Sequence, residues 1–150
     1  MRRISVLVAT AVLAGCAKKP EAPAAPPAAP APAPINMASV AGMWSMKTMA
    51  AVGDSVLTTS TLTATADTSG WILTLPNRKP MTLHVVISGD SIMADAPSYE
   101  SVLRKGVTVQ TSSVYHLVGD KLMGTTKAHY SVTGPDSLVM LRTEGVKMPM

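Results

Sequence analysis

The sequence predicts an all-β domain, an antiparallel up-and-down meander of about eight strands that closes into a small barrel. Thr and Val, which favour strands, are frequent in its second half, and Phe is absent. The turn dipeptide Gly-Asp recurs at 53–54, 89–90 and 119–120, between runs of strand-forming residues. Connections this short suit hairpins rather than parallel crossovers, and closure of the sheet leaves neither edge exposed.

The predicted strands are the runs between these turns, near 42–49, 55–66, 71–76, 81–88, 91–95, 107–118, 121–132 and 137–147. Alternation in the second run predicts that Val56, Leu62 and Ala64 face inward. The opposite face, with Leu57, Thr59, Thr61, Thr63 and Thr65, is predicted to face solvent, and a semi-polar lumen wall is the alternative. Small inward residues such as Ala64, Gly124 and Ala128 leave room for a cavity, whereas methionine is the expected filler of a core without Phe.

The segment 96–106 interrupts this pattern. Ser98 is a candidate helix cap, Glu100 and Arg104 have the i,i+4 spacing of a helical ion pair, and Gly106 is a candidate helix end. These residues predict a short helix or lid across one barrel mouth, which would carry Tyr99, Glu100 and Arg104. A plain connector between strands is the alternative.

The N-terminus has the organisation of a secretory signal. Arg2 and Arg3 precede an apolar run at 4–13, and small residues lie just before Cys16. That run has ten residues, whereas a membrane-spanning helix needs about 20. The only cysteine of the chain cannot form an internal disulfide.

The sequence Leu13-Ala14-Gly15-Cys16 resembles the lipobox of bacterial lipoproteins at all four positions. The resemblance implies that Cys16 is acylated and becomes the mature N-terminus, anchored by its acyl chains. Inner-membrane lipoproteins often carry Asp at the next position. Ala17 therefore implies the outer membrane, most simply its periplasmic face, with surface display as the alternative.

A Pro/Ala-rich spacer follows the cysteine. Every residue in 20–34 is Pro or Ala except Glu21. This composition predicts an extended polyproline II stalk with a length of roughly 45 Å. The predicted domains are therefore a signal peptide at 1–15, the lipidated N-terminus with a disordered linker at 16–35, and the β-barrel domain at 36–150.

A second resemblance lies in the first predicted strand. Gly42-Met43-Trp44 resembles the G-x-W element at the start of lipocalins and other calycin barrels, in which an Arg of the last strand packs against the Trp. Arg142 lies at a matching place. The resemblance implies a calycin-like barrel with Gly42, Trp44 and Arg142 as its structural signature. Because the tryptophan set of a biotin site is missing, biotin binding is not implied.

Several classes of chemistry are disfavoured. The chain has 13 Lys and Arg, and loss of Arg2 and Arg3 with the signal leaves eleven against nine Asp and Glu, with no basic stripe for nucleic acid. It also has no G-x-S-x-G, H-E-x-x-H or glycine-rich phosphate loop. The three histidines fall on the more polar strand faces: His84, His116 and His129. We therefore predict a non-enzymatic protein without metal or other cofactor.

Three functions remain. The first is an envelope lipoprotein whose barrel binds an apolar or amphipathic small molecule in a cavity. The second is a structural or interaction module of the envelope with a filled barrel. The third is soft-metal (Cu) binding by Met43, Trp44, Met46 and Met49 in "MWSMKTM". Strand geometry disfavours it, because it places Met43 and Met49 on one face and Trp44 and Met46 on the other. The ligand, if there is one, and the oligomeric state are not predicted.

Overall fold

A computed structural model describes residues 33–149. Its strands, in chain order, are β1 (Gly42–Ala50), β2 (Val56–Ala64), β3 (Ile72–Thr74), β4 (Met81–Thr82), β5 (His84–Ser88), β6 (Ser91–Asp95), β7 (Tyr99–Glu100), β8 (Thr108–Val118), β9 (Lys121–Tyr130) and β10 (Leu138–Lys147). One helical turn, α1 (Met37–Val40), precedes the strands, and a 3₁₀ turn (Pro135–Ser137) precedes β10. Every strand pair is antiparallel, so the predicted all-β meander is confirmed.

The sheet curls into a nearly closed barrel. Its strand order is β4-β3-β2-β1-β10-β9-β8-β6-β5, and β7 pairs with β8 outside this path. The two ends of that order, β4 and β5, are consecutive halves of the segment 81–88, divided at Leu83. The Leu83 N–H donates to the Trp71 carbonyl at 2.9 Å. One continuous segment of the chain therefore forms both end strands of the sheet.

The strand count differs slightly from the prediction of about eight. Each of the eight predicted runs contains a strand, and the two additional strands come from the division of 81–88 at Leu83 and from the two-residue β7. The strand divides at Leu83 because its pairing partner changes there: β4 pairs with β3, and β5 pairs with β6. The difference does not change the architecture.

Side chains alternate between lumen and solvent as the pattern predicts. Leu62 and Ala64 are buried and Thr59 is exposed. The predicted inward position of Val56 is wrong, because its side chain is 49% exposed. Thr48 pairs with Thr58 but Met49 pairs with Val56, so Leu57 is an extra residue in β2. A bulge of this kind breaks the alternation at the strand end.

One end of the barrel is filled by bulky side chains. Its largest fully buried members are Trp44, Trp71, Met46, Leu62, Ile92, Leu122 and Val40. Each indole N–H has a carbonyl partner at 2.8 Å, Val40 for Trp44 and Asp67 for Trp71. Indoles that are buried with satisfied N–H groups give this closed end its stability. A second buried cluster lies towards the opposite end and contains Val109, Ala128, Tyr130 and Leu141.

The space predicted beside the small interior residues is partly taken by their neighbours. A Cβ atom at Gly124 would overlap the Val114 carbonyl oxygen and would lie 2.7 Å from Cδ1 of Tyr115. A Cβ atom at Gly145 would overlap the sulfur of Met46. The side chains of Tyr115 and Met46 therefore pack into the space that Gly124 and Gly145 leave free. For Met46 this agrees with the prediction that methionine fills the core.

The chain joins the barrel at Ile35, whose N–H donates to the Gly89 carbonyl at 3.0 Å. The Asn36 side chain then caps α1 by accepting from the Ala38 N–H at 3.0 Å. The predicted signal peptide, Cys16 and the linker up to residue 32 lie outside the described residues. Among residues 33–149, no helix has the length and hydropathy required to cross a bilayer.

Candidate functional site

The candidate site is the barrel lumen between the closed end and the opposite mouth. It holds a cavity of about 60 Å³. Eight of the lining side chains carry hydroxyl groups on Ser or Thr: Thr48, Thr58, Ser60, Ser101, Thr111, Ser113, Thr126 and Thr143. The other lining residues are tyrosines and apolar residues, so no lining side chain carries a formal charge.

Three of these hydroxyls form a buried chain of hydrogen bonds. Ser113 Oγ lies 2.8 Å from Thr126 Oγ1, which lies 2.9 Å from Thr143 Oγ1. Successive strands supply the three residues, since Ser113 is in β8, Thr126 in β9 and Thr143 in β10. A buried hydroxyl without a partner costs about 1–3 kcal/mol. In the described residues every buried side-chain nitrogen and oxygen has a partner.

All three tyrosines of the sequence line the same cavity: Tyr99, Tyr115 and Tyr130. Burial is the main cause that raises the pKa of Tyr99 and of Tyr115 above the ordinary value for the phenol. Both phenols are therefore neutral at physiological pH. Because Ser, Thr and Tyr hydroxyls both donate and accept, the wall is suited to neutral polar groups.

The mouth is covered by the segment 101–106, which we call the lid. The Ser101 N–H donates to the Val107 carbonyl at 2.8 Å and closes the loop. Ser101 Oγ accepts from the N–H groups of Leu103 and Arg104, each at 3.0 Å. The lid side chains that line the cavity are Ser101, Val102 and Leu103. Polar bonds within the lid thus hold its shape, while apolar side chains cover the lumen.

Two arginines attach the lid region to the barrel rim. Arg78, from the loop between β3 and β4, contacts the Glu100 carboxylate at 3.2 Å and the Ser101 carbonyl at 3.5 Å. Arg104 lies 4.1 Å from the centroid of the Tyr130 ring and donates to the Asp136 carbonyl at 3.0 Å. Glu100 also accepts from the Gly106 N–H at 3.1 Å.

The structure brings Tyr99, Glu100 and Arg104 to the mouth, as expected for a lid, but not as a helix. The segment forms β7 and a turn, and Gly106 ends the turn with a φ of 76°. The helical pairing of Glu100 with Arg104 is wrong. The pairing of β7 with β8 keeps Glu100 in an extended conformation, and its carboxylate contacts Arg78 instead.

The expected contact between Arg142 and Trp44 is not formed. Strand register places Arg142 opposite Met49 and places Lys147 opposite Trp44. The ammonium of Lys147 lies 5.5 Å from the indole centroid and 3.0 Å from the Ser39 carbonyl. Lys147 therefore supplies the cation against the indole, while Arg142 contacts the loop after β1 through Ala50, Gly53 and Asp54.

Two features of position 42, next to the contact between Lys147 and Trp44, explain why its residue is glycine. Its φ of 133° is unfavourable for a residue with a side chain, and a Cβ atom would lie 2.9 Å from Cε of Lys147. The glycine thus lets the lysine stem cross the start of β1 on its way to Trp44. Gly42 and Trp44, the two residues of the G-x-W element, therefore both lie beside Lys147 at the closed end. The sequence pattern did not identify this lysine as the cation.

The histidines lie on the outer surface, as their positions on the more polar faces predicted. His84 and His129 are exposed, and His116 is partly exposed with Nδ1 3.7 Å from the Asp90 carboxylate. Within residues 33–149, no three His, Cys, Asp or Glu side chains are grouped as metal ligands require.

The methionine-rich run in β1 divides between two faces. Met43 is 47% exposed, whereas Trp44 and Met46 are each 1% exposed. Met49 pairs with Arg142 and is only partly buried. The four residues therefore do not converge on one point, which removes the geometric basis for a soft-metal site in this run.

A cleft beside the lid was not found by sequence reasoning. It has a volume of about 540 Å³ and is lined by Thr58, Pro76, Asn77, Arg78, Glu100, Ser101, Val102 and Lys105. The turn at 76–80 reads "PNRKP", and Asn77 adopts a φ of 56° there. The adjacent cations Arg78 and Lys79 in this turn were the sequence signal that could have indicated the cleft. The sequence does not show that the turn lies against the lid, because only the fold brings the two together.

Comparisons with known proteins give no relative: no family model, no curated protein and no solved structure matches the chain.

Proposed function

We propose that this protein is a non-enzymatic, outer-membrane lipoprotein whose barrel binds a small amphipathic molecule beneath the lid. One observation carries the binding function. The lumen between the two buried clusters is lined by hydroxyl groups and is covered by a separate loop. A core that served only stability would gain more from methyl groups at these positions than from hydroxyls.

The size of the cavity defines how binding occurs. About 60 Å³ is enough for only a few water molecules. A larger ligand therefore requires Val102 and Leu103 to leave the mouth. The lid contacts that would break are the exposed Arg78–Glu100 ion pair and the contacts of Arg104. Exposed pairs of this kind contribute only about 0–1 kcal/mol each.

The same small volume favours a second candidate, an envelope module whose barrel is filled by its own side chains. In that case the hydroxyl chain serves to fix the packing of β8, β9 and β10, and no ligand enters. The two candidates differ in whether the lumen takes up a molecule.

A matched pair of variants in β8 separates them. Thr111 lines the cavity, and the neighbouring Gln110 is exposed on the outer face. Binding of 1-decanol is measured by calorimetry on the acylated protein in phosphatidylcholine nanodiscs, with empty nanodiscs as the blank. We expect Thr111→Leu to weaken binding at least tenfold and Gln110→Leu to change it less than twofold. Absence of decanol binding to the unmodified protein, or equal effects of the two variants, would favour the filled barrel.

Native mass spectrometry of the protein taken from its own membrane provides an independent test. A small molecule that is retained by the unmodified protein and lost from Thr111→Leu supports binding in the lumen. A bare unmodified protein after gentle extraction opposes it.

The anchoring part of the proposal is supported by the lipobox at 13–16 and the Pro/Ala spacer. Acylation of Cys16 would hold the barrel at the outer membrane, with the periplasmic face as the expected side. We expect Cys16→Ala to lose the acyl mass and to leave the membrane fraction. A Cys16→Ala protein that still sediments with membranes would contradict the anchor.

A further inference from the structure

The cleft beside the lid and the lumen have a common wall. Thr58 of β2 and two lid residues, Ser101 and Val102, line both of them. A displacement of Val102 would therefore join the cleft to the lumen. The two spaces differ in chemistry, because the lumen lining is uncharged whereas the cleft is lined by Arg78, Lys105 and the carboxylate of Glu100.

The cleft has an excess of positive charge over negative charge. Arg78 and Lys105 line it together with one carboxylate, that of Glu100, and Asn77 adds an amide. The side chain of Arg78 is 33% exposed and that of Glu100 is 46% exposed, so water and solutes reach the pair. A guanidinium forms paired hydrogen bonds with carboxylate and phosphate groups, and an ammonium is a strong point charge for the same anions.

Glu100 indicates which kind of group Arg78 accepts. Its carboxylate lies 3.2 Å from the guanidinium, in the place that an anionic group of a ligand would take. Because the pair is exposed, its replacement by another anion needs little free energy. Glu100 directly precedes the lid and also accepts from the Gly106 N–H at 3.1 Å. Release of Glu100 from Arg78 would therefore loosen the lid at the same time.

From this arrangement we propose that the ligand is a single-chain amphiphile with an anionic head group, which Arg78 and Lys105 bind in the cleft while the chain enters the lumen past Val102. The proposal rests on the proposed binding function and adds the class of ligand. It follows from the common wall, since only a molecule with one charged end and one uncharged end matches both spaces. Burial of the charged end in the uncharged lumen would be opposed by its loss of hydration.

Three probes with the same chain and different head groups test the proposal: decanoate, decyl phosphate and 1-decanol. They are titrated at pH 7.5 into the acylated protein in phosphatidylcholine nanodiscs, with empty nanodiscs as the blank. We expect the anionic probes to bind at least tenfold more tightly than decanol. A preference for decyl phosphate over decanoate would identify a phosphate head group, and the reverse preference a carboxylate.

Arg78→Gln should remove the advantage of the anionic probes over decanol, while decanol still binds, which also shows that the variant is folded. Lys127→Gln, which removes an exposed cation from the outer face of β9, is the matched control and should keep the advantage. Equal binding of the three probes to the unmodified protein, or an advantage that survives Arg78→Gln, would overturn the head-group assignment and leave the lumen function intact. If none of the probes binds, the binding function itself fails.

Discussion

The ring of Tyr115 in β8 lies against the backbone of Gly124, its register partner in β9. A Cβ atom at residue 124 would lie 2.7 Å from Tyr115 Cδ1 and would also overlap the Val114 carbonyl oxygen. The ring is buried and lines the cavity. The absence of a side chain at Gly124 therefore determines where one of the three lumen tyrosines lies, and with it how much of the lumen stays open.

Gly124→Ala should destabilise the barrel by about 1–3 kcal/mol, the usual cost of overpacking a well-packed interior. The backbone of Val114 cannot move without disturbing the β8–β9 pairing, so we expect no rescue by a smaller residue at 115. The free energy of unfolding is measured by urea denaturation. Thr125→Ala, on the exposed face of the same strand, is the control and should cost less than about 1 kcal/mol. Equal losses in the two variants would contradict the close contact.

Thr126→Val should destabilise the protein by about 1–3 kcal/mol, because Ser113 and Thr143 each lose their hydrogen-bond partner at residue 126 in a buried position. The substitution keeps the shape of the side chain and removes only the hydroxyl. Thr125→Val makes the same change on the solvent side of β9 and should be neutral within about 0.5 kcal/mol. Urea denaturation of both proteins measures the difference, and matching midpoints would show that the hydroxyl chain does not contribute.

Lys147→Ala should increase the quenching of tryptophan fluorescence by acrylamide, because the lysine stem and ammonium cover one face of Trp44. Arg142→Ala should leave the quenching unchanged, since Arg142 contacts the loop after β1 and not the indole. The two variants remove equal charge from the same strand. A larger effect of Arg142→Ala would restore the contact implied by the calycin resemblance and would contradict the register.

Stability should fall as the pH is lowered, in part through Glu100. The Gly106 N–H, followed by Arg78, holds the pKa of this carboxyl below its ordinary value of 4.5. Because the folded-state pKa is the lower one, the stabilising contribution is complete above pH 4.5 and is lost as the pH falls through the folded-state value. Melting temperatures between pH 6 and pH 3 should therefore decline less steeply for Glu100→Gln than for the unmodified protein. Asp67 and Glu144, whose pKa values are also lowered, remain in both proteins, so parallel curves would exclude a contribution from Glu100.

The site could be predicted only in part. Alternation placed the three histidines outside and Leu62 and Ala64 inside, because the face of a strand residue depends on local parity. The segment 96–106 was recognised as an exception that would carry Tyr99, Glu100 and Arg104 at the mouth. The partner of Glu100 was predicted wrongly, because Arg78 is 22 residues away in the chain. The cationic cleft was missed for the same reason.

The sequence by itself determined the all-β class, the antiparallel order and the position of nearly every strand, because turn dipeptides and period-two alternation act over a few residues. The tertiary structure decided which residues meet. Lys147 and not Arg142 lies against Trp44, and the turn carrying Arg78 lies against the lid. Such pairings depend on the relative positions of strands around the whole barrel, to which a bulge at Leu57 and the division of 81–88 contribute. No local pattern contains that information.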